Sequence, residues 1–193
     1  MAGQGHHHSA TVGYKVTPLE SGIAMRWFRL GLVALSLAAL ANCSSQITEQ
    51  PSFYRDISQG EALDAEAAAS IISGYRKNNG LSEVALDPDL TRMAQAQAEA
   101  MAKRDKLEHN IKKPFVARLK AAGYNAKSAA ENIGAGYHTL AEAFSGWRDS
   151  PPHRANMLLP NATRMGIAAV PAPGSKYKVY WTLIVAEPDD KKG

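Results

Sequence analysis

One cysteine in 193 residues removes a whole class of architectures. With Cys43 alone no disulfide can form within the chain, so a folded body must be held by packing, and small disulfide-stapled scaffolds are excluded. Long apolar runs are also scarce. The stretch from Leu30 to Ala41 is too short to span a bilayer comfortably. Excess charge of one sign is missing where it would matter. The net charge is +4, but Lys15, Arg26, Arg29 and Glu20 fall in the first 43 residues, and beyond them 19 basic residues face 17 acidic ones. A near-neutral body lacks the electrostatic footprint of nucleic-acid binding, and no such partner is expected. No Walker motif, Cys-x-x-Cys, His-Glu-x-x-His or Gly-x-Ser-x-Gly appears. Gly134-Ala135-Gly136 lacks the third glycine and the strand-to-helix context of a dinucleotide fingerprint.

What is present begins with two segments outside the folded body. Residues 1–24 show no apolar periodicity and carry His6, His7 and His8, which reads as a tag remnant or a leader ahead of the true start. Residues 25–43 read as an export signal, with Arg26 and Arg29 as a basic n-region and Leu30 to Ala41 as the apolar h-region. Leu40-Ala41-Asn42-Cys43 is similar to a bacterial lipobox, in which Cys43 becomes the lipidated first residue, although Asn42 departs from the small residue usual there. Ordinary signal-peptidase cleavage after Ala41 fits the small-x-small rule equally well. The first alternative makes an envelope lipoprotein held to the membrane through Cys43, the second a periplasmic or secreted soluble protein. Residues 44–59 read as a polar tether, 60–187 as one domain, and 188–193 as a tail.

Within the domain, helical patterns come first. Leu63, Ala67, Ile71, Ile72 and Tyr75 share one face of a helix over 60–79 that Asn78-Asn79-Gly80 ends. Asp87-Pro88 is an N-cap followed by proline, opening a helix with Leu90, Ala94, Ala98, Met101 and Ala102 inward to about Lys106. Pro114 opens a third, with Phe115, Leu119 and Ala122 inward and Gly123 closing it, and a fourth runs from Leu140 to Trp147. After Pro160-Asn161 the period becomes two. Met165, Ile167 and Ala169 alternate in one run, and Tyr177, Val179, Trp181, Leu183 and Val185 in another, so 171–175 lies in a hairpin loop. Helices followed by strands predict an α+β fold with an antiparallel sheet covered by helices.

Two residues are poorly suited to a plain core. Glu131 sits between apolar neighbours ahead of a Gly-x-Gly turn, and His153 begins a short helix introduced by Pro151 and Pro152. They suggest a cleft with a carboxylate on one wall and an imidazole on the other. A buried polar network that ties the walls together is the competing reading. Ser150 reads as an N-cap, Asn156 as a bridging polar group, and Trp147, Tyr180 and Trp181 as core.

Taken in order, Tyr75-Arg76-Lys77-Asn78-Asn79-Gly80-Leu81, Leu86-Asp87-Pro88-Asp89-Leu90, His109, Ala122-Gly123-Tyr124, Glu131-Asn132-Ile133, Trp147 with Ser150-Pro151-Pro152-His153-Arg154-Ala155-Asn156, Gly166 and Tyr180-Trp181-Thr182 resemble the CAP superfamily, also called SCP/PR-1-like, in its short bacterial form. The resemblance covers about Ala62 to Ala186 and implies a three-layer α-β-α sandwich around a central antiparallel sheet. It also implies a cleft of two histidines and two glutamates that can hold zinc or another divalent ion. His109, Glu131 and His153 match three of these positions, and Ser150 stands at that of the second glutamate. The implied metal set is therefore His109, Glu131 and His153, and the implied ligand cleft adds Ser150 and Asn156.

Three function classes follow. The first is an extracytoplasmic binding module for a small apolar or lipid ligand or an envelope partner. The second is a metal-assisted hydrolase with Glu131 as base, and the third an envelope interaction domain whose cleft is vestigial. Binding ranks above catalysis because no nucleophile motif is present, and a monomer is expected.

Overall fold

A computed structural model describes residues 50–189. The leader, the export signal and Cys43 lie outside the described residues. The elements run α1 Ala65–Asn78, β1 Ala85–Leu86, α2 Pro88–Arg104, α3 Phe115–Ala121, β2 Ala126–Ala135, α4 Leu140–Asp149, α5 Pro151–Met157, β3 Arg164–Ala172 and β4 Lys178–Pro188.

Capping chemistry sets the helix ends. The Asp64 carboxylate accepts the Ala67 N–H at 2.9 Å, which starts α1 at Ala65 and leaves Leu63 ahead of it, later than the expected start at 60. Asp87 accepts the N–H groups of Asp89 and Leu90 at 2.8 and 3.0 Å with Pro88 at the first helical position, as the sequence predicts. Asp105, at φ 48°, ends α2 in the left-handed region. Pro114 is the N-cap of α3 rather than its first helical residue. Thr139 and Glu142 form a capping box at the start of α4.

The strands form one sheet in the order β1-β3-β4-β2. The β3–β4 pair is antiparallel, as expected, and β2 also pairs antiparallel with β4. A short parallel pairing of Ala85 and Leu86 with Arg164 and Met165 adds one edge that periodicity does not predict. Strand β2 is also an addition. It corrects the expectation that no strand precedes Gly134-Ala135-Gly136, although the third glycine is still absent and Gly136 turns at φ 84°.

Helices cover both faces, which makes three layers. On one face Met165, Ile167, Val179, Trp181, Leu183 and Val185 pack with α1, α4 and α5 through Ala68, Ile72, Leu140, Trp147 and Met157. On the other, Ala168, Ile184 and Ala186 meet Leu90, Ala94 and Ala98 of α2, with Phe115 and Leu119 of α3 alongside. The polar tether expected over 44–59 is corrected at its described end. Turns at Ser52–Tyr54 and Ile57–Gln59 pack on the body, where Ile57 is buried and its N–H donates to the His138 carbonyl at 2.9 Å.

Candidate functional site at the outer edge of β2

Strand β2 is a sheet edge, and unpaired carbonyls on an edge invite pairing with another chain unless they are covered. Helices α4 and α5 cover them here. The Trp147 indole N–H donates to the Ile133 carbonyl at 3.1 Å, and the Asn156 amide donates to the Glu131 carbonyl at 3.1 Å. Asn156 also donates to Oδ1 of buried Asn132 at 2.9 Å, and Asn132 donates to the His153 carbonyl at 2.9 Å. Asn156 thus has the bridging role that the sequence predicts, and the bridge fixes α5 and its histidine beside β2.

The side chain of Glu131 is only 2% exposed, yet its oxygens are well partnered. Nη2 of Arg118 on α3 donates to Oε1 and Oε2 at 2.8 and 2.7 Å, and Nδ1 of His109 lies 2.9 Å from Oε1. A charge-assisted contact to both oxygens fixes the carboxylate in place. His109 is itself 48% exposed, so the cluster opens to solvent through its imidazole. Its loop is held by buried Gln97, whose amide donates to the carbonyls of Glu108 and His109 at 2.8 and 3.1 Å.

His153 stands on α5, near His109. Burial first, and the nearby His109 second, lower its pKa from the ordinary value, which favours the neutral imidazole. Its Nδ1 lies 2.9 Å from the Ser150 hydroxyl. Ser150 is the N-cap of α5 by position, but its side chain does not cap the helix, which corrects the role expected of it. The adjacent Asp149 is paired with Arg148 instead.

The structure therefore gathers Glu131, His109 and Asn156 with Asn132 as one network and sets Ser150 and His153 beside them. Sequence reasoning misses Arg118 and Gln97. Arg118 lies three residues after Phe115 and one before Leu119, both inward, and a lone cation on that face is the signal that marks it.

As placed, these donors do not fit a divalent ion. Among the described residues no three His, Cys, Asp or Glu side chains converge as a metal requires, and a guanidinium holds the carboxylate that would bind one.

A sheet with helices on both faces is the fold class that the relatives share. The model described as the cysteine-rich secretory protein family, CAP, matches residues 70–185, and the chain belongs to this family. The uncharacterized protein YkwD of Bacillus subtilis (strain 168) is 33% identical over 103 residues, covering 52% of this chain and 40% of that protein, so the match spans less than half of that relative. An outer surface protein from Borrelia burgdorferi shares the fold with a TM-score of 0.59 at 16% identity, over 65% of this chain and 93% of that one. An extracellular protein containing a SCP domain from Bacillus anthracis str. Ames does so at 0.56 and 20% identity, over 74% of this chain and 45% of that one.

Proposed function

We propose that this CAP protein is an exported binding module of the cell envelope, which takes a small apolar or lipid ligand or an envelope partner at the cleft between His109 and His153. The carrying observation is the state of Glu131. A general base needs a free acceptor within reach of the proton it removes, and both oxygens of Glu131 are already engaged by Arg118, one also by His109. The hydrolase reading with Glu131 as base is correspondingly weaker, and the reading as an envelope domain with a vestigial cleft ranks third. Export is supported by Arg26, Arg29 and the apolar Leu30–Ala41 stretch, and by structural neighbours named as outer surface and extracellular proteins. The lipid anchor at Cys43 belongs to the same proposal, with cleavage after Ala41 as its alternative.

Purified protein incubated with envelope lipid extract and re-isolated should carry bound material that mass spectrometry detects, and Glu131→Gln should retain much of it. A panel of esters and peptides should show no turnover. Turnover abolished by Glu131→Gln would reverse the ranking in favour of the hydrolase, and neither binding nor turnover would favour the vestigial cleft.

A further inference from the structure

The cleft already contains a cation, and the chain supplies it. We propose that Arg118 occupies the place of a divalent ion in this member of the family, so that the site works without a metal. The first support is steric. Arg118 meets both oxygens of Glu131 at 2.8 and 2.7 Å, and the two side chains are 14% and 2% exposed. A metal ion cannot reach that carboxylate unless the guanidinium leaves.

Charge gives the second support. One carboxylate and one guanidinium sum to zero, whereas a divalent ion added to that pair leaves a net charge of two in a largely buried site, where unpaired charge is heavily penalised. Among the described residues no second acidic side chain joins Glu131 and a histidine in a metal-holding group that would offset such a charge, and the Ser150 hydroxyl lies 2.9 Å from Nδ1 of His153. A single carboxylate with a guanidinium already on it is a donor set suited to a cation the chain supplies and not to an added divalent ion.

The setting of Arg118 is the third support. Its Nε donates to the Lys113 carbonyl and Nη2 also to the His109 carbonyl, both at 3.3 Å, while the guanidinium carbon lies 5.3 Å from the Phe115 ring centre. Nη1 is buried and has no hydrogen-bond partner among the described residues. The attraction of Glu131 holds the group where it is. This inference concerns the metal and stands apart from the identity of the ligand.

The test uses zinc alone, measured by elemental analysis and calorimetry after dialysis, on the full chain with His6, His7 and His8 changed to Ala to remove their weak metal binding. The expected result is no stoichiometric zinc in this protein, with His109→Ala and His153→Ala leaving the background unchanged. Arg118→Met, checked for folding by circular dichroism, should gain at least a tenfold tighter zinc affinity. That gain should vanish in the Arg118→Met, His109→Ala double variant. One equivalent of zinc in the protein retaining Arg118, abolished by either His→Ala change, overturns the proposal. So does a folded Arg118→Met that gains nothing. Should that variant fail to fold, the measurement on the protein retaining Arg118 decides by itself.

Discussion

Arg76 shows what a buried arginine does when, among the described residues, it meets carbonyls and no carboxylate. It is fully buried, and its donors reach the carbonyls of Ser82, Met157, Leu159 and Ala162 at 2.8 to 2.9 Å. Burial lowers its pKa from the ordinary value. The Met157 carbonyl belongs to the last turn of α5 and the next two to the segment leading into β3, where helix-end acceptors need donors. Arg76→Met should cost about 3 kcal/mol by leaving these acceptors unpaired. Arg76→Lys should recover little, since one ammonium cannot span the same set. Urea denaturation measures both, and stabilities equal to that of the unchanged protein would refute the role. Asp105 and Tyr180 form a pair that responds to pH. The Tyr180 hydroxyl donates to Oδ1 of Asp105, and the Lys176 N–H donates to both carboxylate oxygens. That hydroxyl bond, with the Lys176 N–H next, holds the Asp105 carboxyl below its ordinary value, while burial and then Asp105 push Tyr180 from 10.0 up to about 12. A depressed carboxyl stabilises the fold above its unfolded pKa and loses that contribution as pH falls through the folded one. A raised phenol is the mirror case: its contribution is complete below pH 10.0 and is lost as pH rises toward about 12. Melting temperature followed from acid to alkaline pH should therefore be flatter at both limbs in Tyr180→Phe, and unchanged limbs would reject the coupling.

At the scale of elements, β3 and the start of α2 meet backbone to backbone. A Cβ at Gly166 would collide with the backbone of Leu90 and Thr91, which no side-chain rotation can relieve. Gly166→Ala should cost about 1–3 kcal/mol as the helix is pushed off the sheet. Gly174→Ala in the hairpin loop meets nothing within 4 Å and should stay within about 0.5 kcal/mol of the unchanged protein. Equal urea midpoints for the two would show that α2 yields freely. The same elements show what periodicity reveals and what it conceals. Asp87-Pro88 and the alternation of Val179, Trp181, Leu183 and Val185 are legible because capping and pleat geometry act locally. Strand β2 is not. Its sequence Ala126-Lys-Ser-Ala-Ala-Glu-Asn-Ile-Gly-Ala135 is poor in β-branched and aromatic residues, and it becomes a strand because β4 pairs with it and helices cover its free edge. Glu131 and His153 stand out by their local sequence and His109 only through the family resemblance, while Arg118 is not legible, since its meaning depends on a carboxylate brought to it by β2 after the chain has turned.

At the scale of the molecule, β4 is the common wall of two cores. Trp181, Leu183 and Val185 face α1, α4 and α5, and Tyr180, Ile184 and Ala186 face the opposite layer, which α2 dominates. Neither layer can leave without exposing one side of the same strand, and no disulfide within the chain can hold a remnant together. Residues 50–189 are also within the size range in which single domains unfold in one step. Heat or urea should accordingly give coincident transitions by far-ultraviolet circular dichroism and by tryptophan fluorescence. A sharper version places the damage and the probe on opposite faces. Leu90 is fully buried in the layer of α2, while Trp147 and Trp181 lie in the other core. Leu90→Ala should cost about 2–5 kcal/mol through lost burial and a cavity. With Trp27 replaced by Phe, that loss should shift the fluorescence midpoint by as much as the dichroism midpoint, although both remaining tryptophans belong to the opposite core. A fluorescence transition that stays in place while the dichroism moves would mean that the two layers come apart separately, and that β4 does not join them into one cooperative unit.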